Sequence, residues 1–176
     1  MKPIVKYQGG KSKELPIIKQ YIRRENKNIA EPFCGGAAVS FYFERPSTLV
    51  DINHNIINLY QTVSNEKDFK ELFKKVNELK NAGHDLLETT YYAARDYINL
   101  HRDVSDYDPV KAFYYIVLRQ LCFSGMERYN SDGEFNVPFG HYKTFSCNLE
   151  QKHCNFLQTC KVVHGSFIDV DFEDSF

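Results

Sequence analysis

The 176-residue sequence has no apolar run of the length that spans a membrane, and Met1-Lys2-Pro3-Ile4 opens no hydrophobic stretch. Neither a transmembrane helix nor a signal peptide is therefore expected. Cys-x-x-Cys pairs are missing too. The five cysteines, Cys34, Cys122, Cys147, Cys154 and Cys160, are scattered and odd in number. That argues against a zinc site, even with His153 beside Cys154, and for free thiols in a reducing cytoplasm. Net charge is nearly nil: 22 Lys and Arg against 23 Asp and Glu give −1. No overall basic signature points to nucleic acid. Repeats and low-complexity linkers are absent as well.

What is present suits one compact domain, with room for a sub-domain inserted into it. Hydrophobic residues at 43% and aromatics at 15% supply ample core, which excludes wholesale disorder. Charge is uneven along the chain. Residues 1–30 carry eight Lys and Arg against Glu14 and Glu25, whereas the last dozen carry Asp169, Asp171, Glu173 and Asp174 and no base. Such asymmetry permits an anionic partner on one face without establishing one.

Periodicity sketches the elements. Residues 14–25 read as a short amphipathic helix, and 28–33 as a brief strand broken by Cys34-Gly35-Gly36. A buried helix spans Ala37 to Phe43. A second strand, Thr48-Leu49-Val50, ends on Asp51, and Asn53 is a good cap for the helix that follows. This is how a doubly wound α/β sheet begins. From about residue 65 the pattern turns helical: Phe69, Leu72, Phe73, Val76 and Leu79, with Gly83 as a stop. A second helix covers Leu86 to Leu100, and a third starts at Asp108-Pro109 and runs through Leu121. Asn130-Ser131-Asp132-Gly133 marks a hairpin turn, and Cys160 to His164 reads as a third strand. The expected units are 1–64 and 147–176 as α/β core, with 65–146 as a helical insertion carrying a hairpin. Tyr91, Tyr92, Tyr97, Tyr107, Tyr114 and Tyr115 sit in helical context, which favours core and boundary packing over a base-stacking platform.

Chemistry first enters at Glu31-Pro32-Phe33-Cys34-Gly35-Gly36-Ala37. Glycines at a strand-to-helix turn admit close approach of a ligand, and Asp51 at the end of the next strand stands where a ribose hydroxyl would be gripped. Glycines alone favour the plainer reading, a tight connection with an acidic cap. Lys6-Tyr7-Gln8-Gly9-Gly10-Lys11-Ser12-Lys13 does not meet the Gly-x-x-x-x-Gly-Lys spacing, which disfavours a nucleoside-triphosphate site.

Taken together, Tyr7-x-Gly9-Gly10-Lys11, Glu31-Pro32-Phe33-x-Gly35 and Asp51-Ile52-Asn53 resemble the Dam-type (D12 class) DNA adenine-N6 methyltransferases. The resemblance implies a partial Rossmann-like methyltransferase sheet and S-adenosyl-L-methionine as cofactor. Tyr7, Lys11, Glu31, Phe33, Gly35 and Asp51 would line its site, with Phe167 near its adenine. Ala37 stands where family members commonly have Gly. Arg128-Tyr129-Asn130-x-x-Gly133-Glu134-Phe135-Asn136-Val137-Pro138-Phe139-Gly140 and Tyr142-Lys143 are similar to the family's target-recognition hairpin. Double-stranded DNA is the implied partner, at a short palindrome such as GATC. Arg128 suits guanine, Asn130 and Asn136 suit adenine, Tyr129 and Tyr142 offer stacking faces or phosphate-bonding hydroxyls, and Pro138, His141 and Lys143 complete the set. His141 replaces an Arg of close relatives, a weaker contact for a phosphate or base. Read without the family, Phe135, Val137 and Phe139 are simply the apolar underside of a surface hairpin.

The family's catalytic Asp-Pro-Pro-Tyr is nowhere in the sequence. Asp108-Pro109-Val110 and Asn136-Val137-Pro138-Phe139 lie in the wrong places to replace it, and the family's catalytic strand would begin just past Phe176. The expectations that follow are no catalytic residue here and no methylation by this chain alone. The first strand would lack a neighbour, to be covered by a second polypeptide, self-association or a rearranged terminus. The competing expectation is a non-catalytic module that binds DNA, S-adenosylmethionine or protein, such as a phage or mobile-element decoy or regulator.

Overall fold

The computed structural model describes residues 1–23, 25, 27–102 and 106–170. The acidic Asp171, Glu173 and Asp174 lie outside them. Three parallel strands, β1 (Ile29–Glu31), β2 (Ser47–Asp51) and β3 (Lys161–His164), pair in the order β1-β2-β3. β2 is central, with Leu49 and Val50 fully buried, as a strand covered on both faces requires. Among the described residues β1 has a strand on one side only.

Among the described residues there are seven α-helices: α1 (Leu15–Ile18), α2 (Ala38–Phe43), α3 (His54–Ser64), α4 (Glu66–Lys80), α5 (His84–Leu100), α6 (Pro109–Leu121) and α7 (Gln151–Leu157). α3 is the central one. Ile56, Ile57, Leu59, Tyr60 and Val63 bury it nearly all round, because it packs on α4, α6, α7 and the sheet. Caps fall where short polar side chains reach the free amides of a first turn. Asn53 accepts from Asn55, Asn65 from Lys67 and Asp68, and Asp108 from Val110 and Lys111. No helix among the described residues is long and apolar enough to cross a membrane.

Three details depart from the sequence reading. The expected helix over 14–25 shrinks to α1, where Ile17 is 60% exposed and adds little burial to hold a longer helix. Gly83 does not stop α4. That helix ends at Lys80, and Gly83, at φ −75°, precedes α5 instead. α7 was not anticipated; Glu150 and His153 close its first turn by reciprocal bonds to backbone.

The N-terminal segment has no ladder of its own, yet Ile4 and Val5 are buried. Its carbonyls are held by side chains from far along the chain: Lys2 by His153, Pro3 by Asn148, Ile4 by Gln120 and Lys6 by Arg119. This satisfies backbone that would otherwise be buried at a cost.

A pH-sensitive contact anchors the start of α3. Lys111, 1% exposed, donates to His54 Nε2 (2.7 Å) and to the His101 carbonyl (2.7 Å). Burial, then Lys111 and His164, push the His54 imidazole down to about 4. Below the ordinary value of 6.5 the unfolded chain takes a proton that folded His54 refuses until about 4, so stability falls across that window. His54→Gln keeps an acceptor for Lys111 and removes the titration. Denaturant melts at pH 7 and 4.5 are expected to differ less for this variant than for the parent, and an equal difference would show that His54 is not a source of acid sensitivity.

Candidate functional site

β1 leads into a turn in which Gly35 (φ +43°) and Ala37 (φ +48°) are both left-handed. The Ala37 backbone costs about 1–2 kcal/mol, which is why glycine is the easier residue there. The Tyr7 ring lies on the turn. A Cβ added at Gly35 would stand 2.7 Å from Tyr7 Cε1, and one at Gly36 would stand 3.0 Å from Tyr7 Cβ. Asp51 holds the turn by accepting from the Gly35 amide on Oδ2 (2.8 Å) and from the Asn53 amide on Oδ1 (2.9 Å). From beneath, the Tyr60 hydroxyl donates to the Gly35 carbonyl (2.7 Å).

An open pocket of about 550 Å³ results, lined by Tyr7, Lys11, Glu31, Phe33, Gly35 and Asp51 among others. Phe167 joins its rim by packing on Phe33 at 5.0 Å. All seven residues expected at the cofactor site thus come together. Their states differ. Lys11 Nζ donates back to the Gly9 carbonyl (2.7 Å), Glu31 Oε1 accepts from the Ser40 amide (2.7 Å), and burial raises the Glu31 carboxyl above its ordinary range. Burial, then the charges of Asp51 and Glu127, push the Tyr7 phenol up to about 12.

A carboxylate beside the exposed apolar faces of Phe33, Ile52 and Phe167 suits a ligand with a hydroxylated sugar and a flat ring. A larger cavity of about 730 Å³ lies between the N-terminal segment and α2, lined by Pro3, Val5, Leu15, Tyr42 and others. It has no acidic residue, so it fits such a ligand less well.

Residues 128–143 form a narrow ribbon bridged at Tyr129 and Phe135 and, with α6's end, at Cys122 and Phe139. Phe135, Val137 and Phe139 are buried, the alternation expected of an anchoring underside. Asn99 of α5 clamps it, accepting from the Phe135 amide (2.7 Å) and donating to its carbonyl (3.1 Å) like a strand neighbour.

Of the expected DNA contacts, Arg128, Tyr129, Pro138, His141 and Lys143 are exposed, the Tyr129 hydroxyl being held by Glu127. Others are engaged internally. Asn136 accepts from Arg128 Nε (2.7 Å) on its side chain and from Nη2 (3.1 Å) on its carbonyl, fixing the guanidinium. Asn130 spends its amide on closing the turn, accepting from Asp132 and Glu134 amides and donating to Glu134 Oε2. Tyr142 lies under Lys6 Nζ, 4.6 Å from the ring centroid. His141 is left-handed (φ +53°) and stacks on His84 at 6.4 Å.

Pocket and ribbon meet at a carboxylate that sequence reasoning passed over. Glu127 Oε1 accepts from Asn53 Nδ2 (3.1 Å) and from the Tyr129 hydroxyl (2.8 Å). Its Oε2 faces Arg119 Nη1 at 3.3 Å. Arg119 is fully buried and also donates to the carbonyls of Lys6, Gly125 and Met126. A lone Arg within the apolar run of α6 was the one available signal that an acid would be found beside it.

With this geometry in place, the model of the D12 class N6 adenine-specific DNA methyltransferases matches residues 7–172. The chain belongs to that family. The D12 relatives include the type II methyltransferase M.CviBI of Paramecium bursaria Chlorella virus NC1A, 38% identical over 98% of this chain and 64% of its own length. The type II methyltransferase M.MjaIII of Methanocaldococcus jannaschii is 35% identical over 97% of this chain and 64% of its own. The DNA adenine methylase of Haemophilus influenzae is 34% identical over 81% and 48%. This chain therefore spans between about half and two thirds of the length of these D12 proteins.

Proposed function

We propose that the chain is the donor-binding and DNA-reading part of a DNA adenine-N6 methyltransferase. In this reading S-adenosyl-L-methionine lies over the Gly35 turn, with its ribose at Asp51 and its adenine between the apolar faces of Ile52, Phe33 and Phe167. The segment 65–146 acts as an inserted recognition unit. Its ribbon engages double-stranded DNA through Arg128, Pro138, His141 and Lys143, at a short adenine-containing palindrome such as GATC. The donor, when bound, supplies an electrophilic methyl group; what these residues do is bind, orient and read. The single observation that carries the reading is the Asp51 carboxylate pinning the Gly35 turn while its neighbour Asn53 reaches Glu127 at the root of the ribbon.

No Asp-Pro-Pro-Tyr is present to position an adenine amino group, so the chain alone binds without transferring. Among the described residues β1 has a strand on one side only, and further strand-forming chain, of this protein or another, would pair there.

Calorimetry with S-adenosylmethionine and a GATC duplex tests this. Asp51→Ala is expected to weaken donor binding roughly tenfold or more, the loss of a bond to a charged group. Arg128→Ala should narrow the gap between matched and mismatched duplexes by roughly 1–3 kcal/mol. Absence of donor binding in the parent chain would remove the pocket from consideration. Labelled methyl transfer by the chain alone would refute the division between binding and catalysis.

A further inference from the structure

We propose that Glu127 is a positioning residue that couples the donor pocket to the recognition ribbon, so that occupancy of one tightens the hold on the other. This rests on the reading of both sites given above.

One carboxylate oxygen serves two elements. Oε1 takes Asn53 Nδ2, two residues past Asp51, and the Tyr129 hydroxyl, one residue past Arg128. The other oxygen faces a guanidinium that three carbonyls hold rigid at 0% exposure. Glu127 is thus a fixed post. Hydrogen bonds run without a gap from the Gly35 amide through Asp51, Asn53 and Glu127 to Tyr129. Arg119 also lies over the Tyr7 ring at 5.6 Å, so the same post backs the ring that covers the turn. Burial and the Glu127 charge keep the Tyr129 phenol protonated, and hence a donor to Glu127, at any working pH.

Both oxygens of Glu127 are already engaged by donors of the protein, which points to an internal role rather than direct contact with DNA. A donor seated on Asp51 and Tyr7 would immobilise Asn53, and through Glu127 it would order Tyr129 before DNA arrives. The second ligand then meets a ribbon whose ordering cost has already been met, which makes the coupling positive.

Replacing Glu127 itself would strand buried Arg119, so the test changes its two partners. Asn53→Asp keeps an oxygen to cap α3 and removes the amide donor. Tyr129→Phe removes the hydroxyl. For the 176-residue chain and each variant, the dissociation constant of S-adenosylmethionine is measured with and without a saturating GATC duplex. The parent is expected to show coupling of about fivefold or more. In each variant the ratio should fall to within about twofold of unity, and the double variant should fall no further, since both cuts break one path. A role limited to stability would lower the melting temperature and leave the ratio intact. Coupling that survives both substitutions, or a parent that binds both ligands independently, overturns the inference and leaves the proposed function standing. A parent that binds neither removes both.

Discussion

Arg119→Met is expected to destabilise the folded chain by about 3–5 kcal/mol, the range for removing one partner of a buried ion pair. Methionine matches the stem of arginine but offers no donor. It leaves Glu127 Oε2 without its cation and the carbonyls of Lys6, Gly125 and Met126 short of a partner. Each of those groups was desolvated on folding, so the loss is a burial penalty as well as a missing attraction. In a chain of this length the melting temperature should fall by roughly 6–20 °C. Adding Glu127→Gln to the Arg119→Met background should recover part of the loss, because a neutral amide is cheaper to leave in that place. A drop below about 1 kcal/mol, or no recovery in the double variant, would mean that water already reaches the pair and that the post at the root of the ribbon is soft.

The second large effect is at Gly35. Gly35→Val forces a β-branched residue into φ +43° and puts a Cβ 2.7 Å from Tyr7 Cε1 and 2.9 Å from Cδ1. Either the Tyr7 ring leaves the turn or the turn opens, and both outcomes move the amide that Asp51 holds. Calorimetric S-adenosylmethionine binding is expected to fall by at least 100-fold, a loss of roughly 3 kcal/mol for the backbone strain and the displaced amide together. Gly83→Ala provides the control, since an added Cβ there meets nothing within 4 Å. Donor binding that survives Gly35→Val would mean that the ligand does not depend on this turn.

The contrast between these residues and the rest shows what local sequence carries. Asn53 and Asp108 could be named as caps because a cap bonds amides two or three positions on, within a short window. Phe135, Val137 and Phe139 declared their buried face by alternation, and Tyr7, Lys11, Glu31, Phe33, Gly35 and Asp51, which line one pocket, stand in recognisable motifs. Arg119 and Glu127 did not. Lys6 lies 113 residues from Arg119 and Asn53 lies 74 from Glu127, and no periodicity reports such a meeting. The same holds for Asn99, whose side chain stands in for a strand beside Phe135, and for Asn136, whose acceptors orient Arg128. Where sequence reading overshot, at residues 14–25, helix pattern was present but only one side of it, Leu15, Ile18 and Ile22, is half-buried while Ile17 is left exposed.

The way residues 2–6 are tethered has a consequence for how the molecule comes into being. The side chains that grip their carbonyls belong to Arg119, Gln120, Asn148 and His153. These grips follow the residues they hold by 113 to 151 positions, and loops of that span close slowly. Tyr7 and the glycines after it must therefore wait, unmoored, until almost the whole of this stretch has been translated. The cover of the pocket settles only when chain more than a hundred residues distant has come to hold it.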